Sequence, residues 1–246
     1  MRPEGLRFIE ITLPTIAENL ALDEAMLDQA ESGNGPAVLR LWEPVQTAVV
    51  LGASGRISDD LNLETCQADN VVVARRSSGG GTVVIGPGTL NLTVILPVDA
   101  DPAFRAVDTA QITVLGQLAE SLQQLVPEVQ VAGSGDLVLG DRKFSGSAQR
   151  RLKHWFLIHA SILYNFPLDQ ISRYTALPKR QPEYRKSRDH NTFVINLPLS
   201  RPELLGCIQK AWLGSQPPQP PVEIPLAGAT RIRLEKLGTP EWVYRF

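Results

Sequence analysis

Cysteine is nearly missing: two residues, Cys66 and Cys207, in a chain of 246. That is too few for a disulfide framework, and it makes a reducing, cytoplasmic setting the default expectation. An excess of charge is missing too. Twenty-four Lys and Arg stand against 26 Asp and Glu, a net charge of −2, so neither a general nucleic-acid surface nor electrostatic attraction to a membrane is expected. The longest apolar runs are only strand-sized, which excludes a membrane-spanning helix, and the start Met1-Arg2-Pro3-Glu4-Gly5 lacks the pattern of a signal peptide. Only three histidines are present. His154 and His159 fall on a predicted strand five residues apart, which puts them on opposite faces, and His190 lies in a different segment with no cysteine nearby, so no zinc site is expected.

What is present is a globular composition, 43% hydrophobic, sufficient for one large α/β domain or a domain with a small appendage. Thr15-Ile16-Ala17-Glu18 has the form of a capping box opening a helix to about residue 31, where Ser32-Gly33-Asn34-Gly35-Pro36 stops it. Strands are expected at about 37–42, 47–52, 71–75 and 155–165. A helix is expected at about 106–126, with Leu115, Leu118, Leu122 and Leu125 as its buried stripe and Pro127 at its end. Residues 166–190, rich in Pro, Arg and Tyr, read as an irregular or short-helical lid. The run Gln216-Pro217-Pro218-Gln219-Pro220-Pro221 reads as a stiff linker, which divides the chain into a domain at 1–215 and a short segment at 216–246 packed on it.

Two stretches carry chemistry. Residues 75–91 combine Arg75 and Arg76 with Ser78, the glycines Gly79, Gly80 and Gly81, and Thr82, Val83 and Val84, ending at Asn91. Glycines can take positive φ and bring backbone N–H groups close to an anion, and the arginines add charge that does not titrate. The loop runs between strands: Val71 to Ala74 precede it, and Leu90, Leu92, Val94 and Leu96 alternate after it as in a half-buried strand. It therefore lacks the following helix of a Walker A loop or a dinucleotide fingerprint, and a plain glycine-rich hairpin is the competing reading. In the second stretch, Gly140-Asp141 forms a two-residue turn between Asp136-Leu137-Val138-Leu139 and a strand beginning at Arg142. Period-two alternation puts Lys143, Ser145 and Ser147 on one face and Phe144, Gly146 and Ala148 on the other. Such a face suits an acyl or phosphoryl group; an exposed edge hairpin with a solvated lysine is the alternative.

Together the two stretches resemble the lipoate–protein ligase and octanoyl/lipoyl transferase family. The likeness extends to His159-Ala160-Ser161-Ile162-Leu163-Tyr164-Asn165 and, upstream, to Asn19-Leu20-Ala21-Leu22-Asp23-Glu24 and Leu39-Arg40-Leu41-Trp42, about residues 15–195 in all. The resemblance implies an α/β (α+β) fold with a central mixed, largely antiparallel sheet packed with helices, the catalytic fold shared with biotin–protein ligases. It implies attachment of lipoyl or octanoyl to a lysine of a lipoyl carrier domain, of 2-oxoacid dehydrogenase or glycine-cleavage type, through an acyl-adenylate made from lipoate and ATP with Mg²⁺. Lys143 would be the catalytic residue. Arg75, Arg76, Ser78, residues 79–84, Asn91, Ser145, Gly146, Ser147 and His159 would bind acyl group and nucleotide, with His159 packing behind the lysine hairpin or transferring a proton. Asp136 or Asp141 would be the Mg²⁺ ligand, and Trp42, Val49 and Leu51 would partly line the acyl groove, with plain core as the alternative.

Departures from the family pattern set further expectations. No cysteine stands where the octanoyl transferases keep their nucleophile, so Cys66 and Cys207 are expected to be buried and inert. Ile85-Gly86 replaces an aromatic and a histidine, and Ala160 replaces a glycine, which leaves the identity of the acyl group open. A C-terminal accessory domain is absent, so either a small separate protein supplies it or a preformed lipoyl-AMP is used. A cysteine-free transferase drawing octanoyl from acyl carrier protein and a non-catalytic relative that binds a lipoyl domain are the alternatives.

Overall fold

The computed structural model describes residues 5–178, 181–214 and 223–246. Residues 1–4 and the proline-rich run at 216–221 lie outside these, and with them the expectations placed there.

In chain order the elements are β1 (Arg7–Glu10), α1 (Ile16–Glu31), β2 (Val38–Trp42), β3 (Ala48–Leu51), α2 (Ile57–Asp60), α3 (Leu63–Ala68), β4 (Val72–Arg75), β5 (Val83–Ile85), β6 (Thr89–Pro97), α4 (Val107–Leu122), β7 (Val129–Ala132), β8 (Asp136–Leu139), β9 (Arg142–Arg151), β10 (Trp155–Leu163), α5 (Asp169–Tyr174), α6 (His190–Phe193), α7 (Arg201–Trp212), α8 (Leu226–Ile232) and α9 (Pro240–Val243), with a few 3₁₀ turns between them. Seven strands form one sheet in the order β1-β2-β6-β10-β9-β8-β7, antiparallel except for β1 beside β2. A second sheet holds β4-β3-β5, with β4 parallel and β5 antiparallel to β3.

The large sheet is covered on both faces. One core joins Leu90, Leu92, Val94 and Leu96 of β6 to α4 and α7 through Leu118, Leu122, Ile208 and Trp212. A second core joins the other face to α1 and the small sheet, with Trp42, Val50, Ile85 and Ile95 as members. Residues 89–96 of β6 are buried without a break, so the strand expected to be half-solvated is central. The Thr15 capping box forms: Thr15 Oγ1 accepts from Glu18 N (3.2 Å), and Glu18 Oε2 accepts from Thr15 N (2.9 Å). α4 stops at Leu122 rather than near 126, which leaves Leu125 52% exposed while Val126 is buried. The stripe read from period 3.6 fails there because the helix has already ended.

Between α1 and the large sheet, Arg40 is fully buried. Its guanidinium donates to Asp23 Oδ1 (2.5 Å), Asn19 Oδ1 (2.6 Å) and Asn19 O (2.9 Å). A buried cation requires an opposite charge and hydrogen bonds, and here those to Asp23 and Asn19 fix α1 across the strands that floor the site.

Candidate active site

The arginine–glycine stretch closes a loop between β4 and β5, at one end of the small sheet. Arg76 is buried and donates inward to Val50 O (3.2 Å), Gly79 O (2.6 Å), Gly81 O (2.8 Å) and Ser78 Oγ (3.0 Å). Burial lowers its pKa to about 10, so it stays charged at neutral pH. Since a trans peptide points its C=O and the next N–H in opposite directions, the carbonyls held by Arg76 turn the N–H groups of Gly80 and Thr82 away from it. Gly80 has φ +88°, and its backbone packs so close to Gly52 that a side chain on Gly52 would collide with it. Arg75, by contrast, points away from the loop. It is fully buried and donates to Gly52 O (3.0 Å), Gly55 O (2.7 Å) and Val243 O (3.0 Å), with Trp242 Nε1 on its own carbonyl (2.9 Å). Arg75 therefore braces the C-terminal helix α9 and does not line a cavity, contrary to its expected role in binding.

The lysine hairpin departs from strict alternation. The β8–β9 pairing shifts register, with Val138 opposite Lys143 but Leu137 opposite Ser145, so Phe144 is an extra residue on β9. Beyond this bulge every side chain changes face relative to Lys143. Lys143 consequently shares its face with Gly146 and Ala148, and Ser145 and Ser147 turn to the helical layer. Ser147 Oγ accepts from Gln111 of α4 (2.8 Å) and donates to Gly135 O (2.7 Å). A Cβ on Gly146 would lie 2.7 Å from Lys143 Nζ, so the glycine makes room for the ammonium. A related one-residue error affects the acyl groove: Val49 and Leu51 face a third core with Phe166 and Cys66, and Val50 between them faces the site. His154 lies in the turn before β10 rather than on the strand.

Cross-strand register then sets the floor. Trp42, Asn91, Ser161, Gly146 and Asp136 stand in one row across β2, β6, β10, β9 and β8. Ser161 Oγ donates to Asn91 Oδ1 (2.7 Å). Over this row lies a cavity of about 240 Å³ whose apolar wall includes Leu20, Trp42, Val50, Val83 and Ile85, with the glycine loop on one side. A second cavity, about 270 Å³, shares Gly81, Thr82, Val83, Asp136, Lys143 and Gly146 with the first and runs beneath α5, α6 and the turn at 183–185. Lys143 stands where the two meet. Its ammonium lies 2.6 Å from Asp136 Oδ1, and the other carboxylate oxygen accepts from Tyr184 OH (2.5 Å).

His159 Nε2 is 2.6 Å from Ser78 Oγ. Burial, with Arg76 adding like-charge repulsion, lowers the histidine pKa to about 3, so the ring is neutral. The pair has the spacing of a nucleophile and base, but a base that weak does not activate a serine that is 2% exposed. Because Arg76 already donates to Ser78 Oγ, the hydroxyl proton is available to Nε2, and the chain Arg76–Ser78–His159 ties the loop to β10. Thr82 Oγ1 donates to Asp60 Oδ2 (3.1 Å). Cys66 and Cys207 are buried, in α3 and α7, and burial raises both thiol pKa values. Asp136 has both oxygens engaged in this conformation, whereas Asp141 pairs with Arg188 through Oδ2 (2.7 Å) and its side chain stays largely exposed.

Tyr184, Arg185 and Arg188 join the site without having been singled out by the sequence, and His190, weighed there only as a metal ligand, lines the second cavity. Four chemistry-bearing side chains within seven residues are the available signal, inside a segment legible only by composition as a lid.

Comparison with known proteins places this architecture. The family model described as "Lipoyl protein ligase A/B catalytic domain" matches residues 15–200. A candidate lipoate-protein ligase A of Aeropyrum pernix is 30% identical over 194 residues, 79% of this chain and 69% of that protein. Lipoate-protein ligase LplJ of Bacillus subtilis is 24% identical over 179 residues, 73% of this chain, and the match spans about half of that protein, 52%. Among solved structures, a bi-partite lipoate protein ligase of Thermoplasma acidophilum, studied with its E2 lipoyl domain, matches with TM-score 0.78 at 21% identity, covering 97% of this chain and 95% of that one. A lipoate-protein ligase A bound with ATP matches with TM-score 0.79 at 22% identity, covering 99% of each chain.

Proposed function

Because the chain belongs to the lipoyl protein ligase A/B catalytic-domain family, we propose that it transfers a lipoyl group from lipoyl-AMP to a lysine of a lipoyl carrier domain. The observation that carries this reading is Lys143 at the junction of an apolar-walled cavity and a second one, with the glycine loop lining both. The acyl chain lies over the Trp42–Asn91–Ser161 row, against Leu20, Val50 and Ile85. The phosphate lies beside Lys143 and residues 80–82. In the reaction the acceptor amine attacks the acyl carbonyl, the C–N bond forms, and the C–O bond to phosphate breaks with its electron pair leaving on AMP; the amine's proton is released to water. Negative charge grows on the carbonyl oxygen and the departing phosphate, and the Lys143 ammonium and backbone N–H groups are placed to stabilise it. Lys143 must then exchange or share Asp136 with the incoming anion.

Adenylation makes a further demand, for it must order a triphosphate and Mg²⁺. The carboxylate beside Lys143, Asp136, is already engaged, so the cation would be held mainly by phosphate oxygens and water. A separate accessory protein for that half-reaction is consistent with the bi-partite Thermoplasma ligase. Among the described residues no helix is long and apolar enough to cross a membrane, and the cytoplasm, where ATP and acceptor domains are available, is the proposed location.

The test is intact-mass spectrometry of an apo lipoyl domain incubated with this chain and one donor: lipoyl-AMP, lipoate with Mg·ATP, or octanoyl carrier protein. Lipoyl-AMP is expected to serve at least about tenfold faster than lipoate with ATP. Equal rates would make the chain a complete ligase, and modification by octanoyl carrier protein alone would replace the adenylate reading with direct acyl transfer.

A further inference from the structure

Arg185 is a buried cation with no carboxylate at ion-pair distance among the described residues. It is 4% exposed, and its guanidinium meets one carbonyl, Arg188 O (2.9 Å), and one ring nitrogen, His190 Nδ1 (3.4 Å). His190 is held neutral chiefly by burial, so it offers no counter-charge. The guanidinium stacks over Phe193, 4.5 Å from the ring centroid, and lines the second cavity together with Lys143. The other buried arginines of the site are compensated differently: Arg40 has Asp23, and Arg76 donates to three loop oxygens and to Val50 O of β3. Asp189 and Asp136 act on Arg185 through space only, without an ion pair; a charge taken out of water without a paired opposite charge is costly, and a cavity beside it is where an anion would offset that cost.

The local backbone is arranged around this side chain. Lys186 and Ser187, immediately after it, have φ +50° and +58°, a region that residues with a Cβ seldom occupy twice in succession. Arg188 clamps the turn, donating to Arg185 O (3.0 Å), Tyr184 O (2.9 Å), Asp141 O (2.8 Å) and Asp141 Oδ2 (2.7 Å). Ile195 N donates to Lys143 O (2.9 Å). The turn that carries Arg185 is thus bonded to the hairpin that carries Lys143, and the two cations line one cavity.

We infer that Arg185 is a second anion-binding residue, which grips the phosphoryl group of the acyl donor together with Lys143 in the cavity that both line. The phosphoryl group is the one that the acyl-adenylate reading puts beside Lys143, so the inference rests on that reading. A phosphate ester also occurs in a phosphopantetheine arm, at the end of the arm remote from its acyl thioester.

Calorimetric titration of the full chain with AMP and with adenosine tests this without turnover. The wild-type chain should bind AMP more tightly than adenosine. Arg185→Gln should erase about tenfold of that preference while leaving adenosine unchanged, and Arg185→Lys should restore part of it. If Arg185→Gln weakens AMP and adenosine equally, or leaves the preference intact, the assignment is overturned. A parallel pair, 4′-phosphopantetheine against pantetheine, separates the sources: an Arg185-dependent preference there and not for AMP keeps the phosphate site and overturns the adenylate reading. A wild-type chain that transfers lipoyl from lipoyl-AMP but shows no Arg185-dependent preference in either pair leaves the transfer reading standing and removes this one.

Discussion

Gly146→Ala is the sharpest perturbation of the site, because it adds a single methyl group and aims it at one atom. On the observed backbone the new Cβ would stand 2.7 Å from Lys143 Nζ and 2.9 Å from Lys143 Cε. Ordinary contact needs about 3.5 Å, so the ammonium must retreat by ~0.8 Å. The retreat costs the fold little, since the colliding atoms are the end of a flexible chain and Gly146 has no positive φ to defend. It costs the site more. The ammonium is held 2.6 Å from Asp136, and a displacement approaching 1 Å of a charge-stabilising group typically reduces turnover up to about a hundredfold, ~1–3 kcal/mol of transition-state stabilisation.

The assay is single-turnover transfer from lipoyl-AMP to an apo lipoyl domain, with thermal unfolding measured in parallel. Gly146→Ala should lower the transfer rate about 10- to 100-fold and leave the melting temperature within a few degrees. Gly116→Ala is the control: it sits in α4 with nothing within 4 Å of the new methyl, and it should leave transfer unchanged. If Gly146→Ala transfers lipoyl at the wild-type rate, the position of the Lys143 ammonium does not matter and its assignment as the catalytic cation fails.

Lys143→Ala should itself cost transfer two or more orders of magnitude, about 3 kcal/mol, and Lys143→Arg should not rescue it because the planar fork needs more room than Gly146 leaves; the same assay reads both. Cys66→Ser with Cys207→Ser should retain transfer, since burial raises both thiol pKa values, and a thioester on either wild-type cysteine detected by intact mass would refute this. His159 has its pKa lowered to about 3 against 6.5 in the unfolded chain, so its contribution to stability is complete above pH 6.5 and falls toward pH 3 as the unfolded chain takes up the proton. His159→Gln should therefore flatten the decline of unfolding free energy across that window, by up to about 1.4 kcal/mol per pH unit, and an unchanged acid limb in denaturant titrations would refute the assigned shift.

The elements legible in the sequence are those whose signal is local. The Thr15 capping box, the Gly140-Asp141 turn and the strand–glycines–strand order around residue 80 each follow from a few neighbouring residues, and each is present in the fold. The misplacements arise where a single residue of register decides which face a side chain occupies. Phe144 is one residue too many for the β8–β9 ladder, and nothing in Arg142-Lys143-Phe144-Ser145-Gly146 marks it as a bulge: Phe144 is apolar and its core is real, so alternation counted from Lys143 is off by one from Ser145 onward. Val49 and Leu51 erred differently. All four residues of β3 are buried, on both sides of the small sheet, and a strand with two apolar faces has no alternation to read.

Arg75 and Arg76 show the deeper limit. They are adjacent, identical in chemistry and both buried, yet one holds the catalytic loop and the other the C-terminal helix, because consecutive residues of an extended chain point to opposite sides. Which side faces the loop is decided by Val50 and Gly52, more than 20 positions upstream. The turn at 183–188 is the converse case: its residues are informative only together with Asp136, Asp141 and Lys143, more than 40 positions away, whose hydrogen bonds convert an arginine-rich segment of no evident pattern into one wall of a cavity. A site built from the contact of two hairpin turns and a loop is specified by pairing across the sheet, and the sequence names its participants before it can say which way they point.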